Sequence, residues 1–223
     1  MTQHINRDYR KTVMTWPTVD QTSTISSDII NMKNYRHAEI CINVGVIGKA
    51  AAVTLEKSAS VAAATTAMAF TNYLSSGFHL KYDGASVDTP AAAGETVTGA
   101  GGGIGYVYQD LGGKLICYAH NGTTFVDNEV LTFSGGKTAV ADGIQYDEDI
   151  LVPRVATSNT FNLTAVSNKK YVIPVDSADL LEGYTCVQVE IADCDTATHV
   201  FIEADLFEPR NMDECGGPTA LYD

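Results

Sequence analysis

Residues 38–45 read AEICINVG, and this stretch decides the fold class. Ile40, Ile42 and Val44 alternate with polar or small side chains, which is the two-residue period of a strand that buries one face. The same alternation recurs at 51–58, 161–166, 171–175, 186–191 and 199–206. The sequence therefore predicts an all-β fold made of half-buried strands.

Composition and charge support this fold class and limit the partners. Charged residues make up 18% of the 223 residues, below the ~25% typical of globular domains. A formal net charge of −13 repels phosphate backbones and anionic lipids, so we expect neither nucleic-acid nor membrane binding. The N-terminal residues have no apolar segment of a secretion signal. Five cysteines without a C-x-x-C pair predict reduced thiols in a protein made in a cytosol.

Changes in composition along the chain predict its domain organisation. Residues 1–25 combine local basic charge with a Thr/Ser-rich stretch, so we expect an extended N-terminal arm that orders against a neighbouring subunit. Residues 26–75 and 155–210 are expected to form the two halves of a β core domain. Glycines punctuate short apolar runs at 76–154, which predicts a small inserted β subdomain. Residues 211–223 are expected to be a C-terminal tail.

The insert contains the glycine-rich run 99–105, GAGGGIG. Its spacing does not match G-x-G-x-x-G in any register and no amphipathic helix follows, so we interpret it as a hairpin tip and not a phosphate loop. Residues 95–102 also resemble residues 129–136 weakly. This internal similarity extends over too few units to indicate a solenoid.

Residues that could bind a metal ion or act in catalysis are present, but they do not complete a site. Cys117 and His120 could form half of a metal site, but no second pair stands at a suitable spacing. The acidic runs 147–149 and 193–195 lack the glycine and distal glutamate of an EF-hand loop. No G-x-S-x-G motif occurs. We therefore predict that the chain is not an enzyme and holds no metal or cofactor.

Three segments carry a resemblance to known proteins. They are residues 27–38 (SDIINMKNYRHA), 170–184 (KYVIPVDSADLLEGY) and 206–210 (LFEPR). Together they resemble a family of small structural proteins of tailed bacteriophages and prophages, similar to head decoration or cement proteins. The matching blocks flank the glycine-rich insert and cover about half of the chain.

The resemblance implies a fold, a location and partners. Such proteins are usually β-sandwich or jelly-roll-like and often trimeric, and they bind the major capsid protein on the outside of the virion after synthesis in the host cytoplasm. They stabilise the head against the pressure of packed DNA. The insert would then project outward, where it could contact the host surface. The expected contact or anchoring residues are Trp16, Val19, Ile29, Ile30, Met32 and Tyr35.

Two other functions remain open at the level of sequence. The chain could be a tail, collar or baseplate component, which a count of about six or twelve copies per particle would favour. It could instead be a carbohydrate-binding or host-surface-binding module, which glycan binding would favour. The sequence shows no evident cluster of aromatic residues, and this argues against sugar binding.

Overall fold

The computed structural model describes residues 9–21, 23–83, 91–143, 150–194 and 198–210. Within these residues it contains seventeen β-strands and a single 3-10 turn, Ser177–Leu180. The strands follow the two-residue alternation of the sequence, because buried and exposed side chains alternate along most of them. The all-β prediction is therefore confirmed.

The chain divides into two compact units. The first comprises Met1–Tyr73, Arg154–Leu163 and Ser167–Asp223, and the second comprises Leu74–Pro153 and Thr164–Val166. The second unit contains most of the segment 76–154 and also Thr164–Val166, which lies outside that range. In the first unit, the Ala156 N–H donates to the Thr71 carbonyl oxygen at 2.8 Å, so the insert starts and ends at neighbouring backbone positions. The expected tail, 211–223, lies outside the described residues.

One sheet of the first unit contains four antiparallel strands. In spatial order they are β1 (Tyr9–Gln21), β17 (Thr198–Pro209), β4 (Tyr35–Val44) and β15 (Lys169–Asp176). Ile40 and Ile42 on β4 and Ile202 on β17 are completely buried and point into the unit's core.

The second sheet faces the first across the same core. Its strands in spatial order are β2 (Ile25–Ser26), β16 (Cys186–Ile191), β5 (Ala51–Ser58) and β14 (Phe161–Leu163). Two short strands add to it, with β3 (Ile30–Asn31) pairing with β16 and β6 (Thr66–Met68) pairing with β5. Val53, Val187 and Val189 from this sheet join the core.

The connections between the two sheets follow a regular rule. The successive strand pairs β1 to β2, β4 to β5, β14 to β15 and β16 to β17 each cross from one sheet to the other. Each pairing in the first sheet is matched in the second, so that β1 beside β17 corresponds to β2 beside β16. This is the strand order of an eight-stranded jelly roll, and the second unit is inserted in the connection from β5 to β14.

The first strand corrects the expectation of an arm at 1–25. Of that range, Tyr9–Gln21 forms β1 and pairs with β17 of its own chain. Thr12 and Met14 are buried. The Lys11 Nζ lies 2.9 Å from a Glu203 carboxylate oxygen, so the basic charge that suggested an arm pairs with an acidic neighbouring strand. Residues 1–8 and 22 lie outside the described residues.

The second unit is a closed ring of strands. It is built from β7 (Asn72–Asp83), β8 (Thr96–Gly99), β9 (Ile104–Asp110), β10 (Lys114–Tyr118), β11 (Val130–Phe133) and β12 (Thr138–Ala141), with β13 (Leu151–Val155) added to β7. The antiparallel order is β7-β10-β9-β8-β11-β12, and β12 pairs back with β7. Phe78, Leu115 and Phe133 fill the interior. Closure removes the free sheet edges that promote aggregation.

The glycine-rich run forms the turn between β8 and β9, as predicted for a hairpin tip. Gly102 has a φ of 92°, a left-handed conformation that glycine adopts without a steric penalty. Among the described residues, no helix is long and apolar enough to cross a membrane.

Candidate binding surfaces

Four of the six predicted contact residues are buried inside their own chain. Ile30, Met32 and Tyr35 are 2%, 1% and 3% exposed and belong to the core of the first unit. Ile29 is 7% exposed and packs near Cys186. None of these side chains can present a surface to a capsid subunit, so their assignment as contacts is corrected.

The cause lies in the path of the segment. In the sequence, Ser27 and Asp28 offer capping oxygens and predict a short capped turn over 27–35, but the chain here runs along β16. The Val189 N–H donates to the Ser27 hydroxyl oxygen at 2.9 Å, and the Ser27 N–H donates to the Val189 carbonyl oxygen at 2.9 Å. Ser27 therefore pairs with β16 as a residue of a neighbouring strand would, and it does not cap a helix. Trp16 and Val19 lie on β1 by backbone, and their side chains lie outside the described residues.

The three segments that carry the resemblance meet in the first unit. A cleft of about 570 Å³ is lined by His37 and Ala38 of the first segment, Val175, Asp176 and Asp179 of the second, and Phe207 of the third. We call it the His37 cleft. Segments that are far apart in the sequence therefore build one concave surface, which sequence alone did not indicate.

Two carboxylates lie beside the His37 imidazole. Its Nδ1 lies 3.3 Å from an Asp176 carboxylate oxygen, and its Nε2 lies 3.5 Å from a Glu208 carboxylate oxygen. Next to it, the Arg210 guanidinium donates to the Ser177 hydroxyl at 2.8 Å. All these groups are partly exposed, so the pairs add little to stability. They leave a rim of mixed charge around an apolar floor, as in many protein contact sites.

A second surface lies on the outside of the closed unit. On β9, Gly105 and Val107 point inward, whereas Tyr106 and Tyr108 are 40% and 38% exposed. The Tyr106 ring stacks on that of Tyr118, with centroids 5.6 Å apart and planes 14° from parallel. We call the outward-pointing residues the tyrosine face; they are Thr96, Thr98, Tyr106, Tyr108 and Tyr118.

Strand register places these residues together. Tyr106 lies opposite Tyr118 on β10 and opposite Thr96 on β8. Tyr106 and Tyr118 therefore form a stacked pair, which was not evident from the sequence. The one sequence indication was the two-residue spacing of Tyr106 and Tyr108, but Tyr118 joins them only once the β9–β10 register is known.

Buried polar groups fix the loops beside the tyrosine face. The Glu129 carboxylate, in a residue only 8% exposed, accepts from Gly101 N–H at 2.8 Å and from Val126 N–H at 2.7 Å. The Asn121 amide donates to the Gly102 carbonyl at 2.9 Å and accepts from Ile104 N–H at 3.1 Å. The hairpin tip is therefore held at both sides.

The possible metal ligands are used in other ways. The His120 Nε2 donates to the Thr123 carbonyl at 2.7 Å, while Nδ1 accepts from Gly122 N–H at 3.3 Å. Cys117 is fully buried, and burial raises its thiol pKa to about 12. In the described part of the chain, no group of three His, Cys, Asp or Glu residues could hold a metal ion. Residues 147–149 and 195 lie outside it.

Comparison with known proteins does not show a family for this chain. No protein-family model matches the chain, and no curated protein matches it. Among solved structures, the structure of infectious bursal disease virus Gx strain aligns over 91% of this chain and 81% of that one, with 7% identity and a TM-score of 0.21. A similarity this low carries no argument about fold or function.

Proposed function

We propose that this chain is a structural protein of a phage virion, which binds the major capsid protein on the outside of the head and stabilises the shell. The observation that carries the proposal is the convergence of the three resembling segments at the His37 cleft. Seven of the residues that line this cleft belong to the three segments, and the others are Glu39 and residues 69–72. The segments come together because they lie on the paired strands β15, β4 and β17.

The fold is compatible with such a role. Eight-stranded jelly rolls occur in viral capsid domains and in lectins, although a fold alone does not define a function. Binding to many equivalent lattice positions lowers the free energy of the assembled shell by mass action. If the chain is a homotrimer at a local three-fold axis, each copy adds avidity.

The proposed contact is the His37 cleft, because four of the six residues first expected as contacts are buried. Its acidic members are Glu39, Asp176 and Asp179, and the apolar Phe70 and Val175 line it with them. A capsid loop that offers a lysine or arginine next to an apolar side chain would complement both features.

Binding to particles that lack the chain tests this proposal. Purified protein is mixed with such particles and the bound copies are counted after sedimentation. We expect binding, and a loss of binding for Asp179→Lys, which reverses an exposed charge in the cleft. Glu182→Lys is the matched control, since it makes the same change at an exposed residue outside the cleft.

Two outcomes would contradict the proposal. One is sedimentation of the protein apart from the particles at every concentration, and the other is binding of both variants equal to that of the unmodified chain. A role in the tail, collar or baseplate would be favoured instead by binding restricted to one vertex or to isolated tails.

A further inference from the structure

We propose that the tyrosine face of the closed unit binds a neutral polysaccharide, with a hexopyranose ring stacked on the tyrosine side chains. This inference is independent of the capsid contact, because it concerns the other unit and an isolated chain can test it. It assigns a ligand class to a surface that the proposed capsid function does not use.

The ring geometry provides the stacking element. A pyranose presents polarised C–H groups on its flatter side, and these pack against the electron-rich face of an aromatic ring. Tyr106 and Tyr118 stand nearly parallel, with planes 14° apart, so each ring holds the other in place. Tyr108 projects from the same side of β9 two residues further along.

The rings are also fixed before any ligand arrives. They stand on a closed sheet whose adjoining hairpin tip is held by Glu129 and Asn121. Tyrosine has few rotatable bonds, so its ordering on binding costs little entropy. A rigid aromatic surface with adjacent hydroxyl groups, those of Thr96 and Thr98, suits a ligand whose own polar groups are hydroxyls.

Charge decides between the possible occupants. Residues 96–108 (TVTGAGGGIGYVY) and 115–126 (LICYAHNGTTFV) contain no lysine, arginine, aspartate or glutamate. Nucleic-acid bases also stack on aromatic rings, but their phosphates require cations along the surface. In the described part of this sheet, no lysine or arginine stands beside the rings; the lysines on this side of the sheet, Lys114 and its partner Lys81, lie four residues along the strands from Tyr118 and its partner Gly77, and the chain has a net charge of −13. An uncharged, hydroxyl-rich ligand is complementary to this face.

Native affinity electrophoresis of the full chain tests the inference. The protein migrates through gels containing a neutral glucan, mannan, galactan or xylan, with an anionic polysaccharide gel for comparison. We expect retardation by at least one neutral polymer. Tyr106→Ala should weaken the apparent affinity by about tenfold or more, whereas Tyr106→Phe, which keeps the ring, should stay within about threefold.

Val140→Ala provides the matched control. Val140 is 37% exposed on β12 of the same closed unit, so the change removes a comparably exposed apolar side chain away from the rings. Its retardation should equal that of the unmodified chain. Circular dichroism of every variant establishes that the fold is retained.

Three results would overturn the inference. The first is that no neutral polymer retards the chain. The second is equal retardation of Tyr106→Ala and Val140→Ala, and the third is binding of the anionic polymer alone. Sedimentation velocity adds a fourth, because an oligomer that dissociates on Tyr106→Ala would show that another copy of the chain covers the face.

Discussion

At the scale of single residues, one aspartate organises much of the closed unit's wall. The Asp110 carboxylate accepts from the Tyr82 hydroxyl at 2.8 and 3.0 Å, from Ala91 N–H at 2.7 Å and from Gly112 N–H at 2.8 Å. Tyr82 is only 5% exposed. Burial of the hydroxyl, and to a smaller extent this carboxylate, raises the Tyr82 pKa above its ordinary value.

Removing the Tyr82 hydroxyl should destabilise the protein. Tyr82→Phe removes the hydrogen bond from a buried hydroxyl to the Asp110 carboxylate, whose oxygens keep the Gly112 and Ala91 N–H donors, and the loss of a hydrogen bond to a charged group costs about 1 to 3 kcal/mol. Urea unfolding measures the change. Tyr108→Phe is the control, since Tyr108 is 38% exposed, and it should change stability by less than about 0.5 kcal/mol. Equal effects of the two variants would show that the carboxylate does not depend on this donor.

The buried thiols predict both slow chemistry and a pH dependence. Cys41, Cys117, Cys186 and Cys194 are all buried. In the Cys215→Ser variant, Ellman's reagent at pH 8 should react slowly with the native chain. After unfolding, it should react with four thiols. Rapid reaction of the native chain would contradict the packing.

The sign of the pH effect follows from Cys117. Its folded pKa of about 12 lies above the ordinary value of 9.0, because the buried site favours the neutral thiol. The resulting stabilisation is fully present below pH 9 and is lost as the pH rises toward 12. The free energy of unfolding should fall over this range, and Cys117→Ala should reduce the fall.

At the scale of elements, strands were predictable wherever one apolar side chain stood at every second position. The stretch 38–45 is such a case, and it becomes β4. β1 escaped prediction because its inward positions include Thr12, a polar residue, and its outward positions carry basic side chains such as Lys11. Only the acidic outer face of β17, which lies far away in the sequence, makes that pattern favourable.

The correction at β1 can be measured directly. Met14 is completely buried, so Met14→Ala should cost about 2 to 5 kcal/mol. Lys11→Ala removes a partly exposed ion pair and should cost at most about 1 kcal/mol. Hydrogen exchange should show protection of the amides within 12–15 that face β17, whereas a complete lack of protection there would restore the interpretation as an arm.

The tyrosine face shows a different limit of prediction. Alternation predicts that Tyr106 and Tyr108 share one side of a strand. It does not predict the neighbouring strand or its register, because pairing depends on the turn at Leu111–Lys114 and on closure of the ring. The His37 cleft was hidden for the same reason, since its three segments meet only through sheet pairing.

At the scale of the whole molecule, the long segment of the second unit, Leu74–Pro153, starts and ends beside neighbouring backbone positions of the first unit. Thr71 and Ala156 are hydrogen-bonded neighbours, so a short Gly-Asn-Gly turn between Tyr73 and Arg154 can replace Leu74–Pro153. We expect the shortened chain to retain β-type circular dichroism and to unfold cooperatively. Its urea m-value should be smaller, because less surface becomes exposed. A chain without cooperative unfolding would show that the first unit depends on the second.

The copy number of the chain in purified virions tests the central claim most directly. Quantitative mass spectrometry compares its amount with that of the major capsid protein in the same particles. A protein that covers the head should occur in a fixed ratio to the capsid subunits, at one copy or trimer per repeating lattice position. Its absence from the particle, or a total of about six or twelve copies, would contradict the account.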